Sequence, residues 1–65
     1  MIAEAYTVQP TITKAKARQI IASGMSVWLY GLQGAALVWV LAEERAGRVA
    51  RFTCEITDTV RFRAA

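Results

Sequence analysis

A chain of 65 residues makes one domain, residues 1–65, and a domain this small buries only about 60% of its unfolded surface, so its stability needs outside help. One cysteine and no histidine exclude an internal disulfide, a tetrahedral zinc site and the commonest neutral-pH general base. The formal charge of +3 permits weak attraction to nucleic acid or anionic lipid without diagnosing either, and the 55% apolar content points to association with another chain.

The first residues, Met1-Ile2-Ala3-Glu4, are acidic where a secretory signal would be basic, and no apolar stretch follows. A cytoplasmic location is expected, in keeping with a single reduced Cys54 in an apolar strand. Residues 5–8, Ala-Tyr-Thr-Val, read as a short strand that Gln9-Pro10 ends, because proline has no N–H and restricts the residue before it. Thr11 or Thr13 then caps a helix that stops at Gly24. Ala17, Ile20 and Ile21 share its apolar side, Lys14 and Arg18 lie one turn apart on one edge, and Lys16 lies on the other. The ordinary account of that basic rim is a solvated helix surface.

Residues 25–32, Met-Ser-Val-Trp-Leu-Tyr-Gly-Leu, read as a second strand, followed by a turn at 31–34. Residues 36–56 then read as a β-hairpin, with Val, Trp, Phe and Thr on both sides of a turn closed by a left-handed Gly47. The register that follows pairs Glu44 with Arg48, Ala42 with Ala50, Val40 with Phe52 and Val38 with Cys54. Residues 59–63 alternate cleanly as a last strand, with Val60 and Phe62 inward and Arg61 and Arg63 outward.

A rival organisation puts one membrane helix within residues 19–42, since no charge occurs between Arg18 and Glu43 and the span exceeds the roughly 20 residues needed. Trp28 and Trp39 would then anchor it at the interfaces. Ser23, Gly24, Ser26, Gly31, Gln33 and Gly34 interrupt the apolar run and argue against it.

Catalytic constellations are missing from the sequence. Ser23 and Ser26 have no activating partner, and Glu43 and Glu44, adjacent in a strand, would point to opposite faces. The glycines at 31 and 34 lack the Lys-Ser/Thr of a phosphate loop, and Lys14 and Lys16 sit on exposed edges. No catalytic residue, metal ligand or cofactor is assigned, and a non-enzymatic role is expected.

Two surfaces carry the functional expectations. In the hairpin register Leu37, Trp39 and Leu41 share a sheet face with Val49 and Arg51, which a single helix packed on the other face leaves uncovered. Such a face suits a protein partner or a second copy. Arg45, Arg48, Arg51, Arg61 and Arg63 would line a second surface where Tyr30 or Trp39 stacks bases and the guanidiniums hold phosphates. The ordinary account is that outward charges protect strand edges and that Glu43, Glu44, Glu55 and Asp58 neutralise them.

The expected fold is therefore α+β, one helix on a mostly antiparallel sheet of three to five strands in the order β-α-β-β-β. The leading function is non-catalytic binding of a protein partner, as a homodimer or small oligomer. Its size suits an accessory or inhibitor protein of the kind phages and mobile elements encode. Nucleic-acid binding is the alternative class, and a small membrane protein the third.

Overall fold

The computed structural model describes residues 12–65. The strand expected at residues 5–8, its proline break and Thr11 as a cap lie outside the described residues.

Helix α1 spans Lys14–Ala22. Thr13 starts it, accepting a hydrogen bond from the Lys16 N–H at 3.2 Å. It ends in a paired C-terminal cap: Gly24 sits at φ 89°, its N–H donates to the Ile21 carbonyl, and the Met25 N–H donates to that of Ile20. Ala17 and Ile21 are buried and Ile20 half-buried, while Lys14, Lys16 and Arg18 are exposed, as the sequence spacing requires.

Of the strand expected over residues 25–32, only β1, Val27–Trp28, is a strand; Leu29–Gly31 then winds into one 3-10 turn. Ile12 bridges to Leu32, held by its N–H on the Gly31 carbonyl and by the Gln33 N–H on its own carbonyl.

The principal correction falls on residues 36–56. Their first half is not a strand but helix α2, Gly34–Arg45. Val38, Trp39 and Val40 are its strand-formers; Ala35, Ala36, Leu37, Leu41, Ala42, Glu43, Glu44 and Arg45 all rank among the best helix formers. Gly47 does adopt the left-handed conformation, at φ 82°, but as the residue ending a helix. Its N–H donates to the Glu44 carbonyl and the Arg48 N–H to that of Glu43, repeating the cap of α1. The pairings of Glu44 with Arg48, Ala42 with Ala50, Val40 with Phe52 and Val38 with Cys54 are therefore not ladder pairs.

The hairpin of this fold lies later, between β2, Val49–Cys54, and β3, Thr59–Ala64. Residues 55–58 turn the chain, with Asp58 at φ 53°, a conformation aspartate tolerates better than most residues. Strand β3 is central: β2 pairs along it from Val49–Ala64 to Cys54–Thr59, and β1 pairs on its other side, Val27 with Phe62 and Trp28 with Arg61, all antiparallel. Two helices thus pack on a three-stranded antiparallel sheet of order β1-β3-β2, an α+β domain whose described elements run α-β-α-β-β.

The core is Ala17, Ile21, Val27, Leu32, Ala36, Val40, Val49 and Phe62. Ala17 and Ala36, both fully buried, are small enough to bring α1 and α2 close. Phe62 has no exposed surface and occupies the middle of the sheet's inner face. The charge-free span between Arg18 and Glu43 is divided between α1, β1, the 3-10 turn and α2. None of the described helices is long and apolar enough to cross a membrane. The 12 residues of α2 reach roughly 18 Å, against about 30 Å of hydrocarbon.

Candidate nucleic-acid interface

Alternation along β3 sends Phe62 into the core, so its neighbours Arg61 and Arg63 face away from the helices, the orientation the sequence predicts. Directly paired residues share a face. Arg61 pairs with Trp28 on one side and Phe52 on the other, which sets Trp28, Arg61 and Phe52 in one row across the open face. Strands lie about 4.8 Å apart, so the two aromatics stand roughly 10 Å from each other at the backbone.

The guanidiniums of this face are placed by contacts. Arg61 donates from Nε to the Ser26 hydroxyl at 2.8 Å and from Nη2 to the Ser26 carbonyl at 3.2 Å. Arg63 lies over the Phe52 ring, 4.6 Å from its centroid. Beside the row, the exposed Tyr30 meets Trp28 edge to face, with ring centroids 5.7 Å apart. Neither Arg61 nor Arg63 has a carboxylate partner among the described residues.

The other arginines of the expected basic surface go elsewhere. Arg51 pairs with Phe62 in the ladder and so shares the helix side, where it covers the Phe62 ring at 5.2 Å and donates twice to the Glu44 carboxylate, at 3.0 and 3.1 Å. Arg48 is tied to Glu43. Arg45 is exposed in the last turn of α2, where a cation suits the helix dipole. The structure therefore brings together Arg61 and Arg63 and separates them from Arg45, Arg48 and Arg51. Glu43 and Glu44, rather than lying on opposite faces of a strand, are helical residues that each hold one arginine.

The five residues expected to share an apolar sheet face do not share one. Leu37, Trp39 and Leu41 are half-buried on α2 against the core, Val49 is itself core, and Arg51 belongs to the Glu44 pair. The exposed side of α2 carries Ala35, Val38 and Ala42, with Val38 70% exposed. The sequence does not single out Trp28 and Phe52, because its expected register sets Phe52 opposite Val40; the pairing of β1 and of β2 with β3 places both beside Arg61.

Cys54 lies at the end of the same open face, paired with Thr59, and is half-exposed rather than buried in an apolar strand. The side-chain and backbone donors of Thr57 hold its thiol below the ordinary value.

Comparison with protein-family models, curated proteins and solved structures finds no match to this chain.

Proposed function

We propose that this protein is a non-catalytic binding module whose open sheet face takes single-stranded nucleic acid. The observation that carries this reading is the row Trp28–Arg61–Phe52, with Arg63 stacked beside it and no carboxylate among the described residues pairing either arginine. Aromatic faces and guanidinium planes accept bases of any sequence, and unpaired guanidiniums hold the intervening phosphates.

The magnitude is modest and measurable. Two phosphate contacts on a single strand give a slope of about −1.4 in log K against log salt, so affinity falls roughly sevenfold between 50 and 200 mM. Removing one stacking aromatic costs about 1–3 kcal/mol. Fluorescence anisotropy with labelled oligo-dT and oligo-U measures both. Arg61→Ala with Arg63→Ala should flatten the slope, whereas Arg45→Ala with Arg48→Ala should leave it nearly unchanged. Wild-type protein that binds neither oligonucleotide at low salt refutes the proposal.

A second reading keeps a protein partner, in the accessory or inhibitor class and with a homodimer as its simplest form, and moves the contact to α2. It is favoured by the exposed apolar side of that helix, Ala35, Val38 and Ala42, since a helix apolar all round is normally covered. Sedimentation of wild type against Val38→Glu tests it. Monomeric wild type at high concentration removes the homodimer form.

A further inference from the structure

The ends of α1, α2, β2 and β3 converge on an open-mouthed cleft of about 340 Å³ on the helix side of the sheet. Its floor is apolar: Ile21 and Val49 are 5% and 4% exposed, and the half-buried Trp39 forms one wall. Its rim is charged, with Arg18 from α1, Glu43 from α2 and Arg48 from the segment entering β2.

We infer that this cleft binds a small amphiphilic carboxylate, a molecule with an apolar body and one terminal carboxyl group. The volume falls at the lower end of the about 300–1,000 Å³ typical of small-molecule sites, where an apolar floor supplies affinity and a few polar groups supply orientation. Glu43 occupies the Arg48 guanidinium, whereas Arg18 has no carboxylate partner among the described residues. Two cations and one anion leave the rim with one positive charge, matched by a single carboxylate. A guanidinium binds a carboxylate through two parallel N–H donors, so Arg18 fixes one end of the ligand while the body lies on Ile21, Val49 and the Trp39 indole. The site faces away from Arg61 and Arg63, so it stands or falls independently of nucleic-acid binding.

The test is titration of the ¹⁵N-labelled wild-type chain with 4-phenylbutyrate and 4-phenylbutyramide, followed by ¹H–¹⁵N correlation spectra. The expected result is saturable shifts confined to the amides of Ile21, Val49 and their neighbours and to the Trp39 indole N–H. The amide should bind about tenfold or more weakly for want of a charge-assisted hydrogen bond. Arg18→Gln should lose the preference for acid over amide, and Arg61→Gln should keep it. Arg18 is exposed and its spectrum reports directly whether the variant folds. Shifts that do not saturate, that spread to the open sheet face, that are equal for acid and amide, or that persist unchanged in Arg18→Gln overturn the inference.

Discussion

The two paired helix caps make a quantitative prediction about glycine. Gly24 and Gly47 sit at φ 89° and 82°, and a Cβ added at either meets nothing within 4 Å. Replacing either with alanine therefore introduces no clash with a neighbouring residue, only the intrinsic cost of a left-handed L-residue, about 1–2 kcal/mol. Gly34 provides the opposite case: it lies in the first turn of α2, has no positive φ, and its Cβ also meets open space. Alanine there stabilises by about 0.4–1 kcal/mol, chiefly by restricting the unfolded chain. In a domain this small, 1 kcal/mol moves Tm by roughly 4–8 °C. Gly47→Ala should thus lower Tm by about 4–16 °C, Gly24→Ala similarly, and Gly34→Ala should raise it by about 2–8 °C. Thermal melts by circular dichroism read all three. A synthetic chain with D-alanine at position 47 should melt like wild type or above it, since the mirror-image residue prefers this conformation. The β-branched Gly47→Val should cost at least as much as alanine. If Gly47→Ala melts like wild type, the cap joining α2 to β2 is wrong.

Two further perturbations follow from the fold. Phe62→Ala removes a fully buried ring from the middle of the central strand and should cost about 3–5 kcal/mol, comparable to the roughly 3–10 kcal/mol that a domain of this size possesses; a variant that still unfolds cooperatively in urea near the wild-type midpoint would contradict its placement. The Cys54 thiol, lowered by Thr57, should react with iodoacetamide at lower pH than a free cysteine, with Thr57→Ala moving the rate midpoint up and Thr57→Ser restoring it. Because the folded thiol is the stronger acid, the linked stabilisation is present above the unfolded thiol's pKa and is lost as pH falls through the folded one; a midpoint unmoved by Thr57→Ala would remove that threonine as the cause.

Much of this architecture can be read from particular residues. Thr13 and Gly24 bracket α1 because a side-chain acceptor and a residue free to take positive φ have few other uses around an apolar run. Thr59 to Arg63 alternates with period two, and Phe62 is core while Arg61 and Arg63 face out. Helix α2 was hidden for a physical reason. Its inner positions Ala36 and Val40 are apolar, but so are Ala35, Val38 and Ala42 on the outside, so no 3.6-residue contrast marks it. The Val38-Trp39-Val40 triplet then speaks for a strand, and Gly47, whose positive φ serves a hairpin bulge and a helix end equally, does not arbitrate. Taking that helix for a strand moved β2 to the wrong neighbour. The strand reading creates an apolar sheet face that the helix disperses, and it hides the alignment of Phe52 with Arg61. The arginines were visible as residues; their separation into ion-paired and open groups depends on where Glu43 and Glu44 project, which only the helix decides.

The order β1-β3-β2 has a consequence for how the chain acquires its shape. The strand that joins the other two is the last of the three to be synthesised. While residues 59–64 remain within the ribosome, Val27 and Val49 have no strand between them and α1 and α2 have no inner sheet face to cover. The helices can form early, since their contacts are local, but the core must wait until Phe62 emerges and contacts 35 positions apart, Val27 with Phe62, can close. Folding of this domain thereby waits on residues 59–64, and a nascent chain stalled before residue 59 would present α2, apolar on both sides, to whatever chaperone stands at the exit.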